Sequence, residues 1–170
     1  MPTRTSLSKT LIVLLAATSA LGPAAMQILL PALPVIKATF EVSTEVAQLT
    51  LSLSMLAIAL GTLFFGPVSD KYGRKPVMLL GLSITLVGSI FCFLANTIEL
   101  LIASRFIQAF GAAAGLVLAR AIVRDVYAAQ EAARVIATLV MVMVVAPMLS
   151  PALGGELMLR LGWEYVFVVI

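Results

Sequence analysis

The chain has 170 residues, of which 62% are hydrophobic and 11% charged, against about 25% charged in a typical soluble domain. That leaves too little polar surface for a water-soluble globule and identifies a membrane protein. The net charge of +3 says little about nucleic acid and more about which loops stay cytoplasmic.

Crossing a hydrocarbon core of roughly 30 Å takes about 20 helical residues. By that measure the apolar blocks predict spans near residues 10–31, 46–67, 77–94, 100–123 and 135–157, with a sixth beginning at 162–170. Arg4 and Lys9 ahead of the first block imitate a signal peptide. The run is too long for one and carries no persuasive cleavage site, so it reads as a retained span. The strand-like stretch 140–145 lies inside the fifth span, where lipid forbids an open sheet edge. The expected fold is all-α, a polytopic transmembrane helix bundle.

Orientation follows Lys and Arg. With the amino terminus cytoplasmic, the inner face collects Arg4, Lys9, Lys71, Arg74, Lys75, Arg120, Arg124 and Arg134, while Lys37 and Arg160 lie outside. Glu41, Glu45, Glu99, Glu156 and Glu164 fall on the outer side.

Several positions exceed what a membrane anchor requires. In the loop after the second span, Gly73 suits a positive φ, and Lys71, Arg74 and Lys75 suit a basic turn beside anionic lipid. Neither accounts for Asp70 at the end of the span, or for Gly66 one helical turn earlier, where a missing side chain admits another helix. An acid among cations at a helix junction suits a gate. Arg105, deep in the fourth span, costs about 2.5–3.5 kcal/mol on insertion scales, and such residues normally face a bundle interior. Snorkelling is the competing reading, but Gln108 stands one turn away on the same face. Gly111 then opens a GxxxG that lets helices approach. In the fifth span Pro147 and Pro151 each remove a backbone hydrogen bond, and Gly154 and Gly155 leave room for a neighbour. Phe40, Tyr72, Trp163 and Tyr165 are expected as interfacial anchors. Met141, Met143 and Met148 are expected to face lipid or fill packing gaps, with an adaptable substrate pocket as the alternative, and Cys92 to be inert packing. With no histidine and this single cysteine, there is no disulfide framework and no His- or Cys-based zinc cage. No nucleophile–base pair is visible, so neither an enzyme nor a cofactor is expected.

The pattern Gly-x-x-x-Asp-x-x-Gly-Arg-Lys at 66–75 resembles the loop motif of the major facilitator superfamily. Arg105, Gln108 and Gly111 resemble the span-four motif of proton-coupled facilitators, which implies that the arginine is linked to proton transfer. Residues 146–155 resemble the span-five motif of antiporters, which helps close the bundle against leakage. Residues 29–34 and the Arg120, Arg124, Asp125 run are similar to the Bcr/CflA group of drug-resistance facilitators. That group usually carries an aspartate where this chain has Gln27. Glutamine hydrogen-bonds a substrate but does not titrate, so Gln27 is a substrate-binding candidate and an interhelical hydrogen bond is its alternative role.

The resemblance implies that residues 1–170 are an incomplete amino-terminal six-helix bundle, whose partner is a carboxyl-terminal half. The implied activity is efflux of small, hydrophobic, drug-like compounds coupled to proton influx, in the cell inner membrane, with the lipid bilayer and no nucleic acid as surroundings. The alternatives are another major facilitator exporter, of a sugar or metabolite, and a membrane scaffold that does not itself transport.

Overall fold

The computed structural model describes residues 9–169; Arg4 and Ile170 lie outside them. The described residues are helical almost throughout, with no strand among them. The first span is α1 (Lys9–Ile28), followed by a 3-10 turn (Leu30–Ala32) and a short α2 (Leu33–Thr39). The long helices α3 (Thr44–Tyr72), α4 (Arg74–Phe93), α5 (Ile98–Val126) and α6 (Ala129–Arg160) are spans two to five. A second 3-10 turn (Trp163–Tyr165) leads into α7 (Val166–Val169). Five helical segments are long and apolar enough to cross a membrane.

Every span boundary moves outward or shifts from its expected place, for local reasons. Pro31 does not end the first helical segment. It and Pro34 each stand in the opening turn of a new helix, where the missing N–H is no loss, so the chain restarts twice and runs on to Thr39. Helix α3 begins earlier than expected because the Ser43 hydroxyl caps it, accepting the Val46 N–H at 3.4 Å. Thr97 does the same for α5, accepting from Leu100 at 3.3 Å. Pro67 lies inside α3, and Pro147 and Pro151 lie inside α6, without ending either helix. Gly73, at φ +93°, is the whole junction between α3 and α4, in a conformation that side chains rarely adopt.

Helix α5 is the centre of the bundle and touches α1, α3 and α4, while α6 leans chiefly on α1. Small residues make this possible. A Cβ at Gly111 would lie 2.5 Å from the Gly81 carbonyl oxygen and 2.6 Å from the Thr85 nitrogen, so α4 and α5 meet backbone to backbone. Gly115 is equally pressed against Thr18 of α1. One apolar core joins α1, α3, α4, α5 and α6 around Leu15, Phe65, Leu118 and Leu139. A second gathers Leu29, Ile36, Cys92, Leu101, Trp163 and Phe167.

Trp163 corrects an expectation. It is buried, edge-on to Phe40 at 5.6 Å and to Phe167 at 6.2 Å, and so belongs to the core of the bundle. Tyr72 and Tyr165 are exposed, as interfacial anchors should be. Met141 and Met148 point outward, and Cys92 is fully buried. Outward-facing Val13, Leu14, Leu63, Leu86 and Leu159 present the apolar surface that lipid requires.

Candidate functional site: two arginine centres

The first centre lies at the α3–α4 junction. Arg74, set by Gly73 at the start of α4, reaches back to Asp70 (Nη1–Oδ1 2.5 Å) and across to Asp125 at the end of α5 (Nε–Oδ2 2.8 Å). It also donates to the Ser69 hydroxyl at 2.6 Å, and that hydroxyl donates to the Gly66 carbonyl at 2.7 Å. One guanidinium thus ties three helix ends together. The two carboxylates are largely exposed, so each pair contributes only about 0–1 kcal/mol. Such a tie is cheap to break and reform.

The other residues expected here behave differently. A Cβ on Gly66 would meet nothing within 4 Å, so the expected close helix is not among the described residues. Lys75 and Arg124 are exposed. Lys71 lies over the Tyr72 ring at 5.2 Å. Arg120 is half-buried and donates to the Met143 sulfur at 3.4 Å, and its Nε is buried without a partner.

The second centre is Arg105, seven residues into α5 and only 1% exposed. That burial excludes snorkelling: the side chain turns into the bundle. Nη1 donates to Gln108 Oε1 at 2.6 Å, and Nη2 to the Ala25 carbonyl of α1 at 3.2 Å. The Phe167 ring stands 5.8 Å from Cζ, offering its negative face to the cation. Gln108, also 1% exposed, donates from Nε2 to the Ser89 hydroxyl of α4 at 2.7 Å. The Arg105 Nε has no hydrogen-bond partner, and no carboxylate forms an ion pair with this guanidinium among the described residues. The centre therefore holds a buried cation by neutral acceptors and a ring face, with Nε left wholly without a partner.

Gln27 does not join it. It is exposed on α1 while Ala25, two residues earlier, faces the arginine. In α6, Gly154 is pressed against the Ile28 carbonyl of α1, as a close-packing glycine should be. A Cβ on Gly155 would meet nothing within 4 Å, so its expected neighbour is not among the described residues. Sequence reading missed Ala25, Ser89 and Phe167. A backbone carbonyl has no residue signature, and only the fold brings the other two to α5.

The bundle of long apolar helices, the glycine-hinged charged junction and the buried arginine define a multi-pass membrane protein. The chain matches the Major Facilitator Superfamily model over residues 15–170, and it belongs to that superfamily. It is 38% identical to the Uncharacterized MFS-type transporter YdgK of Bacillus subtilis, over 92% of this chain and 40% of that protein. To an uncharacterized transporter of Rickettsia felis it is 38% identical, over 87% of this chain and 36% of that one. To the Multidrug resistance protein MdtL of Escherichia coli it is 35% identical, over 86% and 38%. The chain thus spans about two fifths of the length of these relatives.

Proposed function

We propose that residues 1–170 form most of the amino-terminal six-helix half of a proton-coupled exporter of small hydrophobic, drug-like compounds in the cell inner membrane. The observation that carries this reading is Arg105. A guanidinium held in the bundle interior by Gln108 and Ala25 is costly in an apolar helix and marks a functional position. The kinship with a multidrug resistance protein supports the substrate class. Two cavities along α1 and α4 support the domain reading. One of about 330 Å³ is bounded by Phe167 and Val168, another of about 580 Å³ by Arg74 and Lys75, and Leu82 lines both. In this reading the cavities form a bed for a sixth spanning helix.

In this reading the two halves rock about a midplane site. The Arg74–Asp70–Asp125 tie is the inner latch, weak enough to open in each cycle. Gln27, exposed on α1, faces the substrate path, and Gly66 and Gly155 leave surface for the opposite half. Pro147 and Pro151 stiffen and bend α6 against leakage. Lys9, Lys71, Arg74, Lys75, Arg124 and Arg134 mark the cytoplasmic end, and with it a cytoplasmic amino terminus.

The test is proton-gradient-driven uptake of labelled antibiotics and sugars into inverted vesicles carrying the transporter that contains this half. Saturable antibiotic uptake, lost in Arg105→Ala at equal abundance, supports the reading. Uptake of sugars alone makes it a metabolite exporter. No uptake of any compound by this protein, together with altered activity of a co-purifying transporter, makes it a scaffold.

A further inference from the structure

We propose that Ser89 of α4 is a positioning residue for the Arg105 centre: by accepting from Nε2 it anchors the Gln108 carboxamide with its oxygen held against the guanidinium. This rests on the reading of Arg105 as the coupling residue.

The argument is one of hydrogen-bond direction. The Ser89 hydroxyl donates its only hydrogen to the Thr85 carbonyl, one turn back on α4, at 3.0 Å. Toward Gln108, 2.7 Å away, it is therefore left with lone pairs and acts as an acceptor. Only the Nε2 end of the amide satisfies it. The Oε1 end faces Arg105 Nη1, 2.6 Å away, as a group that only donates requires, and Ser89 holds it there. Reversing the amide would set two donors against each other at Arg105 and two acceptors at Ser89. The four groups form one chain of donation, from Arg105 through Gln108 and Ser89 to the backbone of α4, and links in such a chain strengthen one another.

The backbone keeps the chain in place. A Cβ on Gly88 would lie 2.5 Å from the Gln108 nitrogen, 2.6 Å from its Cα and 2.7 Å from its Cβ. Glycine at 88 thus brings α4 against the base of the Gln108 side chain, and Ser89 beside it reaches the amide. Ser89 and Gln108 are both buried, Gln108 almost completely. Gln108 and Ala25 each take one N–H of a terminal nitrogen, and the wholly unpartnered Nε is a donor left for an incoming acceptor. Ser89 therefore acts on the centre without touching whatever binds there.

The test is a double-mutant cycle of Ser89→Ala and Gln108→Ala, read in two ways. In the first, thermal unfolding of the purified chain in detergent measures the Ser89–Gln108 coupling without any transport. A clear non-additivity is expected, and strictly additive shifts overturn the proposal. In the second, proton-driven uptake by the transporter carrying this half is followed across pH. Ser89→Ala should lower uptake about tenfold, the scale expected when a buried donor loses its acceptor, and displace the pH profile. Ser89→Thr keeps the hydroxyl and should restore the profile, and in a Gln108→Ala background Ser89→Ala should add no loss. Unchanged uptake and profile in Ser89→Ala, with active wild type, overturn the positioning role alone. An inactive wild type overturns the export reading, and the unfolding cycle still decides the hydrogen-bond chain.

Discussion

Arg74 and Arg105 are the same residue under opposite conditions. Arg74 stands at a helix end with two carboxylates near water and the hydroxyl of buried Ser69. Arg105 is enclosed, with a carboxamide, a backbone carbonyl and a ring face. The first is rich in opposite charge, yet each pair is worth little because solvent competes for it. The second has no ion-pair partner among the described residues, yet each contact is expensive to lose because nothing replaces it. Counting formal ion pairs would rank the two centres in the wrong order.

The sharpest way to break this contrast is Arg105→Lys. A single ammonium lacks the fork that spans Gln108 and Ala25, and losing a charge-assisted bond costs about 1.5–3 kcal/mol. Uptake should fall by roughly 10- to 100-fold at equal abundance; wild-type uptake would make the two arginines equivalent after all. Next comes Gly111→Leu, which drives a side chain into the α4 backbone and should destabilise the bundle by about 1–3 kcal/mol. Detergent-resistant folded protein should drop accordingly. Gly73→Val places a β-branched residue at φ +93°, costing about 1–3 kcal/mol of local strain. Its insertion should hold while transport falls. The smallest stability effect belongs to Asp70→Asn, within about 1 kcal/mol, with a sharp loss of transport nonetheless. If its melting temperature drops as far as that of Gly111→Leu, the exposed latch is structural instead.

Much of the fold was legible because lipid imposes one rule, long apolar helices with charges at their ends. The positive φ at Gly73 followed from one residue whose chemistry admits few alternatives, and the inward turn of Arg105 from its pairing with Gln108 one turn away. Asp125 was singled out as an inner-face charge, but its pairing with Arg74 joins positions 51 apart and no local pattern encodes it. Trp163 shows the converse failure. Its place beside a helix end suggested an interfacial anchor, while Phe40, brought in from the far end of the chain, and the nearby Phe167 stand edge-on to it. Gly66 and Gly155 look like packing glycines in sequence and face open space here. Glycine signals that room is available and not what occupies it.

The reliance of α6 on α1 bears on how the protein is made. Gly154 meets the Ile28 carbonyl, so contacts that cover one side of α1 join segments more than a hundred positions apart. During synthesis, which proceeds from the amino terminus at about 5–20 residues per second, α1 enters the membrane long before its neighbour exists. Its α6-facing side, Ile28 included, must stay open to lipid or to an insertion factor until α6 follows. Ribosome-bound chains stopped before residue 129 should therefore leave this side of α1 open to crosslinking, and chains carried past α6 should close it.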